Sequence, residues 1–290
     1  MTLRERALAF DCQGNRLVGI VSLSEAHRGV GVLIVVGGPQ YRAGSHRQFV
    51  QLARALAAAD VPTLRFDYRG MGDSEGELRH FDSVDADIDA AIGALLSAVA
   101  GLQRVVIWGL CDGASAALMY LQARPDARVA GLVLVNPWAR SQASLAKTHV
   151  KHYYLQRLGE RAFWSKLLRG GVALEALTGL VGNLRAAFGR NAGTPQANLA
   201  YQHRMAQGWA SFAGPRLLIL SEHDLTAREF IEYIATSKPW QTALARRDAT
   251  RIELRDADHT CSQPAAQRAL ERATTDWLTR SFALASTHAA

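Results

Sequence analysis

Cysteine is scarce in this chain, with only three in 290 residues. They are Cys12, Cys111 and Cys261, an odd number at wide and irregular spacing. Such spacing supports neither a framework of disulfides nor a metal site built from thiolates. We therefore expect any cysteine with a special role to act as a free thiol.

Long apolar runs are also missing. No stretch reaches the roughly 18 consecutive apolar residues of a membrane-spanning helix, and the first six residues lead into no apolar segment of a signal peptide. We therefore expect a cytoplasmic protein without a transmembrane segment. The chain is 49% hydrophobic and 20% charged, which is typical of a globular protein and excludes intrinsic disorder.

Strand-like and helix-like segments alternate along most of the chain. Residues 31–36 are uniformly apolar, as in a strand that is buried on both faces of a sheet. This alternation predicts an α/β fold with a mostly parallel central sheet flanked by helices. The predicted strands of this series lie at 31–36, 61–66, 105–108, 132–135, 216–220 and 251–254.

The alternation stops between residues 138 and 212, where only helical stretches occur, near 155–168 and 174–188. We therefore predict a core domain formed by residues 1–137 and 213–290, with residues 138–212 inserted as a helical cap.

A turn rich in glycine follows the strand at 105–108. Its sequence, GLCDG at 109–113, leads directly into a helix. Strand, sharp turn and helix form the context of a G-x-S-x-G nucleophile elbow, here with Cys111 in place of serine. At the amino end of a helix, the helix dipole favours a thiolate. The alternative is a small buried thiol in a glycine-containing turn.

An elbow of this kind takes its acid and base from later strand ends, in the order nucleophile, acid, base. Asp224 follows the strand at 216–220, and His259 follows the strand at 251–254. We predict that His259 is the general base for Cys111 and that Asp224 orients its imidazole. Glu222 and Asp258 remain alternative acids.

Acyl chemistry also needs two hydrogen-bond donors for an oxyanion. The backbone N–H of Asp112 is the first candidate, and the loop after residues 31–36 should supply the second. Pro39 has no N–H, so we predict Gly38, with Gln40 as the second choice. No cluster of histidines and carboxylates has metal-ligand spacing, and we expect neither a metal nor another cofactor.

Several motifs together resemble the α/β-hydrolase superfamily over nearly the whole chain. They are the glycines at 37–38, the DYRGMGDS segment at 67–74, the Cys111 elbow and the two later positions 224 and 259. The resemblance implies an α/β-hydrolase fold, and it gives residues 67–74 a structural role in shaping a loop. More narrowly, GGPQYR at 37–42, GSHR at 44–47 and GLCDGAS at 109–115 resemble the exosortase A system-associated hydrolases of bacterial exopolysaccharide gene clusters.

The cysteine at the elbow departs from the usual pattern of the superfamily. In this it is similar to dienelactone hydrolases and polyhydroxyalkanoate synthases, which hydrolyse lactones and transfer acyl groups, respectively. We predict a hydrolase of carboxylic esters or thioesters that forms an acyl-enzyme through a Cys-His-Asp triad. The alternatives are an acyltransferase that uses the same thioester and a non-catalytic, ligand-binding member of the fold.

Four side chains are candidates for contact with a substrate. Trp138, Tyr153 and Trp164 belong to the predicted cap, and His46 lies in the loop after the first buried strand. The alternative for the aromatic residues is that they form the packing core of the cap itself.

The net charge of +7 is unevenly distributed. Residues 138–212 hold ten basic and two acidic side chains, a net charge of +8, whereas the remainder holds 23 basic and 24 acidic side chains. No helix-turn-helix, zinc or aromatic RNA-binding motif accompanies this charge, so we expect no nucleic-acid partner. We expect a small-molecule acyl substrate, for which the basic cap favours an anionic group; a peripheral membrane contact and an unpartnered solvated face are the other options.

The charge distribution yields a test by ionic strength. If the basic segment attracts an anionic substrate, added salt should raise the KM for that substrate, because salt screens long-range attraction. Steady-state kinetics at low and high salt would measure this, with a neutral ester of the same acyl chain as the control. A KM that stays flat for the anionic substrate would contradict the prediction.

Overall fold

The computed structural model describes residues 3–23, 26–27, 29–37, 40–139, 200–245 and 249–282, and the elements below are numbered over these. The strands are β1 (Arg4–Cys12), β2 (Asn15–Leu23), β3 (Val30–Val35), β4 (Thr63–Phe66), β5 (Arg104–Leu110), β6 (Val129–Val135), β7 (Arg216–Ser221) and β8 (Ala249–Leu254). The helices are α1 (Gln48–Ala58), α2 (Asp85–Ala98), α3 (Asp112–Ala123), α4 (Tyr201–Ser211), α5 (Leu225–Thr236), α6 (Lys238–Leu244) and α7 (Pro264–Ser281), with short 3-10 turns at Ser45–Arg47 and Phe81–Ser83.

All eight strands form one sheet in the order β1-β2-β4-β3-β5-β6-β7-β8. The β1–β2 and β2–β4 pairs are antiparallel, and every other pair is parallel. This confirms the predicted α/β fold with a mostly parallel sheet. After β3 the chain first adds β4 on one side and then β5 on the other. Ligands bind at such a switch point, outside the carboxyl ends of the strands.

The central strands form the core of the sheet. All six residues of β3 are buried, as are all six of β7. This explains the uniformly apolar sequence of β3 and the apolar run at 217–220 in β7. Helix α1 buries Phe49, Leu52 and Leu56, which share one face at helical spacing. No helix within the described parts of the chain is long and apolar enough to cross a membrane.

Helix α4 belongs to the core, although it falls inside the predicted insertion. It packs against α3, with Met205 and Trp209 fully buried. Arg204, which contributes to the basic charge of the predicted cap, donates to Gln122 at 3.1 Å and lies 3.6 Å from Asp85. Residues 200–212 are therefore part of the core unit. Trp138 and Ala139, at the other end of the predicted cap, belong to the same unit. Residues 140–199 lie outside the described residues, and the cap stays a prediction.

A buried ion pair fastens the loop after β4 to α2. Arg69 donates to Asp87 through Nε at 3.1 Å and Nη2 at 2.7 Å, and its backbone N–H reaches the same carboxylate at 2.8 Å. The Asp87 side chain is fully buried. This arrangement agrees with the structural role expected for residues 67–74.

Removing one partner of this pair should destabilise the fold. In Asp87→Ala the Arg69 charge would remain buried without its carboxylate, at a cost of about 3–5 kcal/mol. The matched control is Glu253→Ala, because the Arg251–Glu253 pair is half-exposed on β8 and should contribute less than about 1 kcal/mol. Urea unfolding of both variants measures the difference. Equal losses in the two would contradict this account.

Candidate active site

Cys111 stands at the turn between β5 and α3 in a strained conformation. Its φ is 59° and its ψ is −124°, a region that residues other than glycine rarely occupy. Backbone hydrogen bonds hold it there: the Cys111 N–H donates to Val135 O at 2.9 Å, and Cys111 O accepts from Trp138 N at 3.2 Å. Cys111 is partly exposed, whereas Cys12 and Cys261 are buried.

The two glycines of the turn permit close packing around Cys111. A Cβ atom at Gly109 would lie 2.6 Å from the backbone nitrogen of Ala114, and one at Gly113 would lie 2.5 Å from Val35 O. Any side chain at these positions would force β5 and α3 away from each other or from the end of β3. The spacing of the motif therefore follows from the backbone contacts of the elbow.

Asp224, His259 and Cys111 form a hydrogen-bonded series. His259 Nδ1 lies 2.8 Å from Asp224 Oδ2, and the Cys111 side chain is a second hydrogen-bond partner of the ring. Because Nδ1 faces Asp224, Nε2 is the nitrogen left for the thiol. Asp224 is also the N-cap of α5, where its Oδ1 accepts from Thr226 N at 2.9 Å. One buried carboxylate thus caps a helix and orients the imidazole.

The imidazole of His259 binds a proton strongly. Asp224 and then Cys111 raise its pKa from 6.5 to about 10, against the effect of burial. A pKa raised in the folded state adds stability that is complete below pH 6.5 and is lost as the pH rises through about 10. The ring is therefore suited to take a proton from a neighbouring thiol.

The two alternative acids have other partners. Glu222 Oε2 accepts from Asp256 N at 3.0 Å, and the Asp258 carboxylate accepts from Ser262 N at 2.8 Å. Burial raises the pKa of Asp258, but the hydrogen bonds from Ser262 outweigh it and hold that pKa below its usual range. Asp224 is thus the carboxylate that the structure brings to His259.

One group of potential metal ligands occurs among the residues that the structure describes. Glu222, His223 and Asp256 bring their ligand atoms within 4.8 Å of one another, and all three side chains are exposed. The sequence did not predict this grouping, because Glu222 and His223 follow β7 whereas Asp256 follows β8. No binding role follows from three exposed groups alone.

Two of the predicted oxyanion donors, Asp112 and Gln40, follow the neighbouring strands β5 and β3. Asp112 is the first residue of α3, so its N–H lies at the positive end of the helix dipole. Gly38 lies outside the described residues. Gln40 is described, and its side-chain oxygen is 3.5 Å from Gln48 Nε2. The choice between Gly38 and Gln40 stays a prediction.

Side chains from the loop after β4 hold the loop that carries Gln40. The buried Asp67 carboxylate accepts from the backbone N–H of Arg42 at 2.7 Å and also pairs with the Arg42 guanidinium. Tyr68 donates its hydroxyl to Val36 O at 3.2 Å, and burial raises its pKa well above 10, so it remains a donor. The sequence motif at 67–74 thus supports the predicted oxyanion loop.

The structure describes two of the four candidate substrate contacts. Trp138 is half-buried and stacks on Tyr201 at 5.4 Å, with Phe81 edge-on at 5.2 Å. His46 is exposed, and its charge helps to lower the pKa of Asp258, which directly precedes His259. Tyr153 and Trp164 lie outside the described residues. Of the predicted aromatic residues, Trp138 is described, and its backbone N–H bonds to Cys111 O.

Sequence reasoning missed two polar residues around the elbow. Ser115 donates its hydroxyl to Trp138 O at 2.7 Å. Asn136, directly after β6, is fully buried and hydrogen-bonds to Ser221 and to the backbone of His259. An asparagine directly after an apolar strand was the only available signal.

A sequence model of the alpha/beta hydrolase family matches residues 32–272, which is most of the chain. No match is found among curated proteins.

Solved structures with the same fold include several hydrolases. The Pyrococcus furiosus esterase Pf2001 superposes with a TM-score of 0.63 at 16% identity, over 97% of this chain and 94% of the esterase. A dienelactone hydrolase from Anabaena variabilis gives 0.61 at 16% identity, over 96% and 98%. Est1E from Butyrivibrio proteoclasticus, solved with ferulic acid bound, gives 0.61 at 14% identity, over 96% and 100%. At these identities the likeness concerns the fold alone.

The contact between Asp224 and His259 can be tested by titration. In Asp224→Asn the pKa of His259 should fall from about 10 toward 6.5, because the carboxylate is the main cause of its rise. NMR titration of the histidine ring signals measures this, and His27, whose ring contacts Ala100 O, serves as an internal control. An unchanged pKa for His259 would contradict the assignment.

Proposed function

Because the chain belongs to the alpha/beta hydrolase family, we propose that it is a cysteine-dependent hydrolase of carboxylic esters or thioesters. The observation that carries this proposal is the series Asp224–His259–Cys111, built at three strand ends with the thiol partly exposed. The narrower resemblance to exosortase A system-associated hydrolases is part of the same proposal. It suggests an acyl substrate connected with exopolysaccharide.

The first half of the proposed reaction forms a thioester. His259 takes the thiol proton, and Cys111 Sγ attacks the acyl carbon of the substrate. The carbonyl oxygen becomes an oxyanion, stabilised by the N–H of Asp112 and by Gly38 or Gln40. As the bond from the acyl carbon to the leaving oxygen or sulfur breaks, His259 returns the proton to the leaving group.

The second half releases the acid. His259 takes a proton from water, whose oxygen attacks the thioester carbon and displaces Cys111 Sγ. The thiol recovers its proton from the imidazolium, and the carboxylic acid leaves. Asp224 holds the ring through Nδ1 and stabilises the imidazolium that forms in each half.

Acyl transfer is the second candidate function, and the identity of the nucleophile favours it. A thioester at Cys111 passes its acyl group readily to an alcohol, amine or thiol, which would replace water in the second half. A non-catalytic, ligand-binding role is the third candidate; the complete series of three residues speaks against it.

The proposed substrate is a small acyl compound, and two features suggest its contacts. The half-buried rings of Trp138, Tyr201 and Phe81 form an aromatic group, and the backbone of Trp138 joins it to the elbow. The basic side chains of the predicted cap favour an anionic substrate or a membrane surface. The cap itself and the cytoplasmic location remain parts of this proposal.

The role of Cys111 can be tested by substitution. Cys111→Ala should lower the rate of cleavage of a chromogenic short-chain ester about 10³-fold or more, because the proposed acyl-enzyme forms on this thiol. Cys12→Ala is the matched control, because that thiol is buried in the β1–β2 hairpin. Iodoacetamide should block the wild-type reaction. Full activity in Cys111→Ala would refute the proposal.

Mass spectrometry of the intact protein separates the three candidate functions. A panel of esters and acyl thioesters should leave an acyl adduct that is present in the wild type and absent in Cys111→Ala. Added alcohol or thiol acceptors then show whether the acyl group passes mainly to water or to the acceptor. Ligand binding without any adduct would favour the non-catalytic candidate.

A further inference from the structure

A short segment at the end of β6, residues 135–138, joins the nucleophile turn to the loop that carries His259. On one side it holds Cys111. Val135 O accepts from Cys111 N at 2.9 Å, and Trp138 N donates to Cys111 O at 3.2 Å. The carbonyl of Trp138 also accepts the Ser115 hydroxyl at 2.7 Å, which ties the segment to the first turn of α3.

On its other side the segment reaches the base through Asn136. The Asn136 side chain is fully buried; its Oδ1 accepts from Ser221 N at 2.8 Å, and its Nδ2 donates to Ser221 Oγ at 3.0 Å and to His259 O at 3.4 Å. The amide can have only this orientation, because a backbone N–H must face an oxygen. Three of the four hydrogen bonds that the amide can make are thus used.

Ser221 extends the connection beyond His259. Its hydroxyl accepts from Asn136 Nδ2, so its own proton remains for Cys261 Sγ, which is its hydrogen-bond partner. Cys261 is buried two residues after His259, and Asp224 lies three residues after Ser221. Directly or through Ser221, the polar contacts of Asn136 therefore reach the backbone of His259, the side chain of Cys261, and the end of β7 that precedes Asp224.

We propose that Asn136 is a positioning residue that sets the alignment of His259 with Cys111. Asn136 is fully buried, so it acts through the backbone of His259 rather than on a substrate. Its φ of 46° is left-handed, a conformation that asparagine tolerates better than most residues. The reaction that this alignment serves rests on the proposed function, but the alignment itself can be measured without any substrate.

The physical reason is the short range of proton transfer. The thiol and the imidazole must approach to about 2.6–3.2 Å, and a misplacement of about 1 Å can cost about 100-fold in rate. Cys111 is held by the backbone of residues 135 and 138, and His259 is held by the side chain of residue 136. One four-residue segment therefore controls both ends of the transfer.

Two substitutions test the role of the Asn136 amide separately from the left-handed backbone at this position. Asn136→Gly keeps the left-handed conformation accessible and removes the amide. Asn136→Asp keeps an acceptor for Ser221 N but loses both donors and places a carboxylate oxygen against His259 O. Thr274→Val is the matched control, because it removes another fully buried polar group, a hydroxyl that bonds only within α7 to Leu270 O.

Three readouts report alignment rather than folding alone. They are the rate at which iodoacetamide alkylates Cys111, the pKa of His259 by NMR, and kcat and KM for a chromogenic ester. Both Asn136 variants should slow alkylation and lower kcat by about 10–100-fold, with KM changed by less than about twofold. The pKa of His259 should fall toward 6.5, since its partners are loosened. Thr274→Val should change none of these.

The outcomes distinguish this inference from the proposed function. A folded Asn136→Gly protein with wild-type alkylation and an unchanged His259 pKa would overturn the inference. Should that variant fail to fold, Ser221→Ala, which removes only the hydroxyl, should still slow alkylation; unchanged alkylation there would overturn the inference as well. If alkylation and the pKa respond while the wild type cleaves no ester, the inference stands and the proposed function fails.

Discussion

The rest of the site depends on one constraint, the left-handed backbone of Cys111. A side chain at the end of a buried strand can stand clear of the sheet only if the chain turns sharply there, and that turn strains any residue other than glycine. The neighbouring strand maintains the turn, because the backbone at both ends of residues 135–138 binds that of Cys111. Gly109 and Gly113 then let α3 and β3 approach. The position of the thiol thus depends on β3, β5, β6 and α3 together.

The acid and the base come close to the thiol because they too follow the ends of parallel strands. β7 ends just before Asp224, and β8 ends just before the loop of His259, and both strands are parallel to β5. Parallel strands place their carboxyl ends at one edge, so residues more than 100 positions apart in sequence converge there. The loop after β4 adds the carboxylate of Asp67 and the hydroxyl of Tyr68, which hold the loop after β3 in position.

The fold and the three central residues could be predicted because their signals are local. Most of the predicted strands are short runs rich in apolar residues, and Cys111, Asp224 and His259 come three to five residues after three of them. The role of Asn136 could not be predicted in this way, because its partners lie 85 and 123 residues away and depend on which strands are neighbours. Residues 200–212 were placed in the insertion because they lack a strand pattern, yet the buried face of α4, with Met205 and Trp209, packs on α3.

The shared carboxylate of Asp224 links two properties that are separate in most of the molecule. One oxygen caps α5 and the other faces the imidazole, so a single side chain serves both the start of a helix and the charge beside the ring. A substitution of Asp224 can therefore affect the helix cap and the contact with the imidazole differently. Asparagine has the shape that preserves the cap but lacks the negative charge, and glutamate keeps the charge but displaces both oxygens. An asparagine at this position would therefore change the chemistry of the imidazole while leaving the start of α5 in place, whereas a glutamate would disturb both contacts.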